Sequence, residues 1–134
     1  MNSHPYLRAY MAGIALPTFF TLFILAAFIL ARFVYDIPIP IERAIAFPMA
    51  VVPNLWGLWN ILYAAVHGRR WSLGLHGAVL PLLLMPGGLL LAKHLGIGVV
   101  TPSLAMTFAP VGVAVYYLVW KYAVGFLNQT LGVA

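Results

Sequence analysis

The chain has no cysteine, two acidic residues and seven basic ones in 134 positions. Without cysteine there can be no disulfide, thiolate metal site, iron–sulfur cluster or cysteine nucleophile. Charged residues make up 7% of the chain, against about 25% in ordinary globular domains. A soluble fold of this size must cover a large surface with polar groups, and so few charges cannot do that. Ionisable residues are also missing from the inner part of every apolar stretch, which argues against proton coupling through a buried carboxylate. No catalytic dyad, phosphate-cradling loop or metalloprotease signature is present. The sequence therefore assigns no catalytic residue, no metal ligand and no cofactor. The net charge of +5 is dispersed rather than clustered, which excludes nucleic acid as a partner and points to the lipid bilayer and its anionic headgroups.

What the chain does have is apolar length. Hydrophobic residues reach 64%. The nine charges, at Arg8, Arg32, Asp36, Glu42, Arg43, Arg69, Arg70, Lys93 and Lys121, leave four charge-free spans: 9–31, 44–68, 71–92 and 94–120. These are 23, 25, 22 and 27 residues long, and a helix needs about 20 apolar residues to cross the hydrocarbon core. Backbone polar groups in lipid must be paired within the segment, so the spans are expected to be helices. Membrane β-strands would instead alternate polar and apolar residues. The first span is too long and too rich in phenylalanine for a cleaved signal peptide. The expected fold is all-α: an integral membrane, antiparallel four-helix bundle forming a single transmembrane domain over 1–134. Its helices are expected near 9–33, 42–67, 72–94 and 102–126, with kinks near Pro17, Pro48/Pro53, Pro86 and Pro110.

The loops support these boundaries. Pro40 can open the second helix. Thr101 can cap the fourth and Pro102 can start it. Ser3, Ser72 and Ser103 sit near helix starts, where N-capping explains them. The uncharged tail after Lys121 is expected to lie along the interface. Counting Lys and Arg near helix ends places Arg8, Arg69, Arg70 and Lys121 on one side, against Arg32, Arg43 and Lys93, and so puts both termini in the cytoplasm. Gly13-Ile14-Ala15-Leu16-Pro17 resembles Gly77-Ala78-Val79-Leu80-Pro81. A duplicated hairpin would produce the likeness, but glycine and proline are common in membrane helices, and chance suffices.

Candidate binding residues lie in two places. In the second helix, Met49, Pro53, Trp56, Trp59, Asn60, Tyr63 and His67 share one side at helical spacing. Ala50, Gly57, Ala64 and Gly68 form a stripe of small residues that lets a neighbouring helix approach, and Val51, Leu55, Leu58, Leu62 and Val66 form a face suited to lipid. Trp56, Asn60, Tyr63 and His67 either line a cavity or pack in the core, with Asn60 bonding to another helix. Asn54, beside Pro53, is expected to bond the opened backbone. In the third helix, Pro86, Gly87 and Gly88 mark either a broken helix at a binding site or a packing kink. His4, His67, His76 and His94 all fall near expected interfaces, where histidine is ordinary.

Two readings of function follow. The chain is a non-catalytic subunit or scaffold that packs in a homo-oligomer or larger membrane complex. Alternatively it is a small oligomeric channel or facilitator for a neutral or weakly polar solute. A third, a His-ligated cofactor protein, lacks a spaced ligand set.

Overall fold

The computed structural model describes residues 3–38, 50–66, 72–96 and 101–133. Among the described residues the chain is all helical, as four helices without strands. Helix α1 spans Pro5–Phe33, α2 Val52–Val66 and α3 Leu73–His94. Helix α4 runs over 102–130, as an α-helical stretch Pro102–Val119, a π-helical turn Trp120–Val124 and a last α-helical turn Gly125–Thr130. Helices α1, α3 and α4 are each long and apolar enough to cross a membrane. The second expected span, 44–68, lies partly outside the described residues, and Pro40, Pro48, Met49 and the link 67–71 lie outside them.

Local chemistry accounts for the boundaries. Pro5 opens α1, where a missing N–H costs nothing. The helix ends beyond Arg32, and Asp36 takes up a left-handed conformation with φ 55°, which short polar side chains tolerate better than most. Ser72 caps α3 by accepting from the Leu75 amide at 3.3 Å. Thr101 caps α4 by accepting from the Leu104 amide at 3.2 Å, with Pro102 following as expected. Ser3 and Ser103 do not cap: His4 and Thr101 hold those positions. Pro17, Pro81, Pro86 and Pro110 all lie inside helices that continue through them. Each proline removes one backbone bond, and with no strong competitor for the rest of the ladder the helix persists.

The tail after Lys121 departs from expectation. It does not leave the bundle but continues α4 to Thr130 and buries Asn128. Lys121 lies within the helix, its ammonium reaching along the surface to the Tyr117 and Tyr122 rings, 5.7 and 5.4 Å from their centroids.

The helices pack as two antiparallel hairpins, α1 with α2 and α3 with α4. Each hairpin is closed by a glycine beneath a tryptophan. A Cβ on Gly13 would lie 2.5 Å from the Trp56 carbonyl oxygen, and one on Gly77 would lie 2.0 Å from Trp120 Cγ. Gly13 and Trp56 are separated along the chain by the same interval as Gly77 and Trp120, so the short sequence likeness has a counterpart in packing. The small stripe of α2 serves the first hairpin: Gly57 and Ala64 are buried, and Tyr10 and Ile14 close on Gly57. Asn54 bonds the Ala50 carbonyl one turn back at 2.6 Å and accepts from the Tyr10 hydroxyl at 2.5 Å. Leu55, Leu58, Leu62 and Val66 face outward together, as their helical spacing implies.

The core sits where the hairpins meet, and consists of Trp56, Leu80, Leu84, Trp120 and Val124. The meeting point lies toward one end, formed by the start of α1, the end of α2, the start of α3 and the end of α4. No residue of Pro102–Val119 is buried, so the two hairpins lean together at that end and leave the other half of α4 open.

Candidate functional site

The polar groups of the bundle gather at this end. Asn60 is fully buried on α2. Its amide nitrogen donates to the Ala9 carbonyl at 2.7 Å and to Asn128 Oδ1 at 2.7 Å. Asn128 returns a bond from its own amide to Asn60 Oδ1 at 3.1 Å. One side chain thus ties α1, α2 and α4 together, and both amides are used on protein groups. Buried away from water, the two facing amides satisfy each other's donors and acceptors.

A second reciprocal pair joins α2 to α3. Trp59 Nε1 donates to the His76 carbonyl at 2.6 Å, and His76 Nε2 bonds the Trp59 carbonyl at 2.7 Å. A carbonyl only accepts, so Nε2 carries the hydrogen. The two rings stack with centroids 4.7 Å apart, and Tyr63 lies 5.3 Å from the same imidazole. Trp56 meets Trp120 at 5.2 Å and Tyr116 at 5.2 Å, and its Nε1 donates to the Tyr116 hydroxyl at 3.3 Å. The indole nitrogen of Trp120 is buried and makes no hydrogen bond among the described residues. It belongs to the residue at which the π-helical turn begins.

Of the residues singled out from the sequence, Trp56, Asn60 and Tyr63 come together in this cluster. His67 lies outside the described residues. Pro86 and Gly87 are exposed and Gly88 is half-buried on α3. Around Gly87, nothing stands within 4 Å of the position a Cβ would take, so this segment is not part of the cluster, and the helix does not break there.

Two members were missed. His76 reads as an interfacial histidine, yet it is buried because α2 and α3 cross at Trp59. Asn128 sits in a segment read as a tail; Asn128-Gln129-Thr130, a polar patch set in an apolar run, is the signal that would have found it. His4 and His94 are exposed, and among the described residues no group of three His, Cys, Asp or Glu lies together.

Two hollows adjoin the cluster. One, of about 580 Å³, lies at the end of the bundle between the start of α1 and the end of α4, beside His4, Arg8 and Gln129. The other, of about 310 Å³, opens between the hairpins past Trp56 and Tyr116 and has an almost wholly apolar lining. The arrangement can clamp helices and hold apolar matter. No family model, curated protein or solved structure matches this chain.

Proposed function

We propose that this chain is an integral membrane protein of four spans that acts as a non-catalytic subunit or scaffold, packed in an oligomer or larger membrane complex. The observation that carries this reading is that Asn60, the most polar group of the aromatic stripe, is fully buried and bonded to Asn128 and Ala9. Side chains engaged in that way serve as glue between helices. The apolar faces of α1 and α4 point outward, with Phe19, Phe23, Met106, Phe108 and Leu118 exposed. Such surfaces suit lipid or neighbouring helices. Both termini face the cytoplasm in this reading, following the basic residues.

Purification from native membranes in mild detergent, followed by intact-complex mass measurement, tests the assembly: a mass above that of one chain with its lipid is expected, and a lone monomer would count against it. The competing channel reading predicts solute flux in liposomes that Asn60→Leu changes. Equal, negligible flux from wild type and variant is the outcome expected here.

A further inference from the structure

We propose that the apolar cleft between the hairpins holds a single hydrocarbon chain drawn from the surrounding bilayer, seated against Trp56 and Tyr116. This rests on the membrane reading above and goes beyond it by naming an occupant and a place.

The cleft is lined by Leu16, Phe20 and Ile24 of α1, by Val52 of α2, and by Val115 and Val119 of α4, with Trp56 and Tyr116 completing it. Its volume is about 310 Å³. A hollow of that kind offers water almost no partner, and water in it would need several. Polar ligands are disfavoured for the same reason.

Depth narrows the choice further. Leu16–Ile24 falls in the middle of α1, and Val115–Val119 falls in the middle of the helix that runs over 102–130. In a bilayer that level is hydrocarbon, away from headgroups and ester groups. Lipid chain is the abundant matter at that level.

The other flank shows what happens where protein does the filling. Leu80 and Leu84 stand on α3 as Leu16 and Phe20 stand on α1, at the same distances from their hairpin's glycine. Leu80 is 1% exposed and Leu84 5% exposed, whereas Leu16 is half-buried and Phe20 is 53% exposed. Among the described residues, one side of the contact between hairpins is therefore closed by side chains and the other is left open at the same depth. An empty apolar hollow forfeits dispersion contacts along its whole lining. A chain lying in it restores them and completes the packing between the hairpins.

Trp56 provides the readout, because it is 5% exposed overall and lines the cleft. The full chain is reconstituted into vesicles of phosphatidylcholine with mid-chain dibrominated acyl groups, and into unbrominated dioleoylphosphatidylcholine vesicles as reference. Bromine quenches indole emission on contact. The expected result is quenching of a component that Trp56→Phe removes and that Val115→Phe or Leu16→Phe, each filling the cleft from a different helix, abolishes. Emission quenched equally in wild type and both filled variants would overturn the proposal, since the quenched indoles would then lie elsewhere. Absence of any Trp56 component would overturn it too, and a dimer by intact mass in that case would assign the cleft to a second copy. Flotation of the same samples separates the two levels of the argument. Protein that floats with vesicles but shows no cleft-dependent quenching sinks the chain site alone, and protein that fails to float sinks the membrane reading and the site with it.

Discussion

Asn60 and Asn128 bond each other twice, amide to carbonyl in both directions, across the contact between α2 and the end of α4. The pair joins the first hairpin to the second far apart in sequence, and it is buried on both sides. Removing one member leaves the other with an unpaired group in an apolar setting. We expect Asn128→Leu to lower stability by about 1–3 kcal/mol, the cost of a stranded buried amide. The double variant Asn60→Leu/Asn128→Leu should lose less than the sum of the two single changes. Unfolding titrations in mixed micelles check this, and strictly additive losses would contradict the pairing.

The glycines separate into two classes. Gly13→Ala forces a methyl to 2.5 Å from the Trp56 carbonyl oxygen and 2.8 Å from the Gly57 Cα. Both are backbone atoms, so relief requires the helices to move apart, at a cost of about 1–3 kcal/mol. Gly87→Ala meets nothing within 4 Å, and should stabilise by roughly 0.5–1 kcal/mol through its better helix propensity. Opposite signs in one thermal-melt series are the expected outcome.

Two indoles, one fully buried and one half-buried, make a counterintuitive comparison. Trp120 is fully buried but its N–H has no partner among the described residues, while Trp59 is only half-buried but bonds the His76 carbonyl at 2.6 Å. Replacing an unpaired buried donor by a hydrocarbon relieves a desolvation cost of about 1–3 kcal/mol, which offsets the lost ring area. Trp120→Phe should therefore be tolerated better than Trp59→Phe. A larger loss of melting temperature for Trp120→Phe would show that the indole ring, and not its N–H, dominates there.

Orientation is open to direct labelling because the chain has no cysteine of its own. Ser3→Cys and Ile37→Cys place single thiols at the two ends of α1, both at exposed positions. With the termini in the cytoplasm, a membrane-impermeant maleimide added to intact cells should label Ile37→Cys and spare Ser3→Cys until the cells are opened. The reverse pattern would invert the topology.

Much of the architecture was legible in one dimension. Four apolar spans bounded by charges correspond to the four helices, and Thr101-Pro102 marks the start of α4 as read. The outward face of α2, Leu55, Leu58, Leu62 and Val66, follows from helical spacing alone. The candidate site was half legible. Trp56, Asn60 and Tyr63 share one side of α2 because spacing within a helix is fixed, and the structure brings them into one cluster. Pro86-Gly87-Gly88 lies away from the cluster in a helix that continues through it, because proline and glycine report a local weakness in the ladder, whereas whether a helix breaks depends on its surroundings. Asn128 was hidden because the fourth helix was expected to end near 126, with the uncharged tail along the interface, whereas the helix continues to Thr130.

From the sequence alone came the elements: too few charges to cover a soluble fold of this size, and apolar runs long enough to form helices that could cross a membrane, because both follow from composition and from the backbone's need to pair its own polar groups. Only the tertiary structure decided which polar side chains answer each other, that His76 is buried while His94 is exposed, and that one flank between the hairpins is filled while the other stands open. Those outcomes depend on where two helices cross, and crossing is set by the summed fit of many weak contacts that no single residue announces.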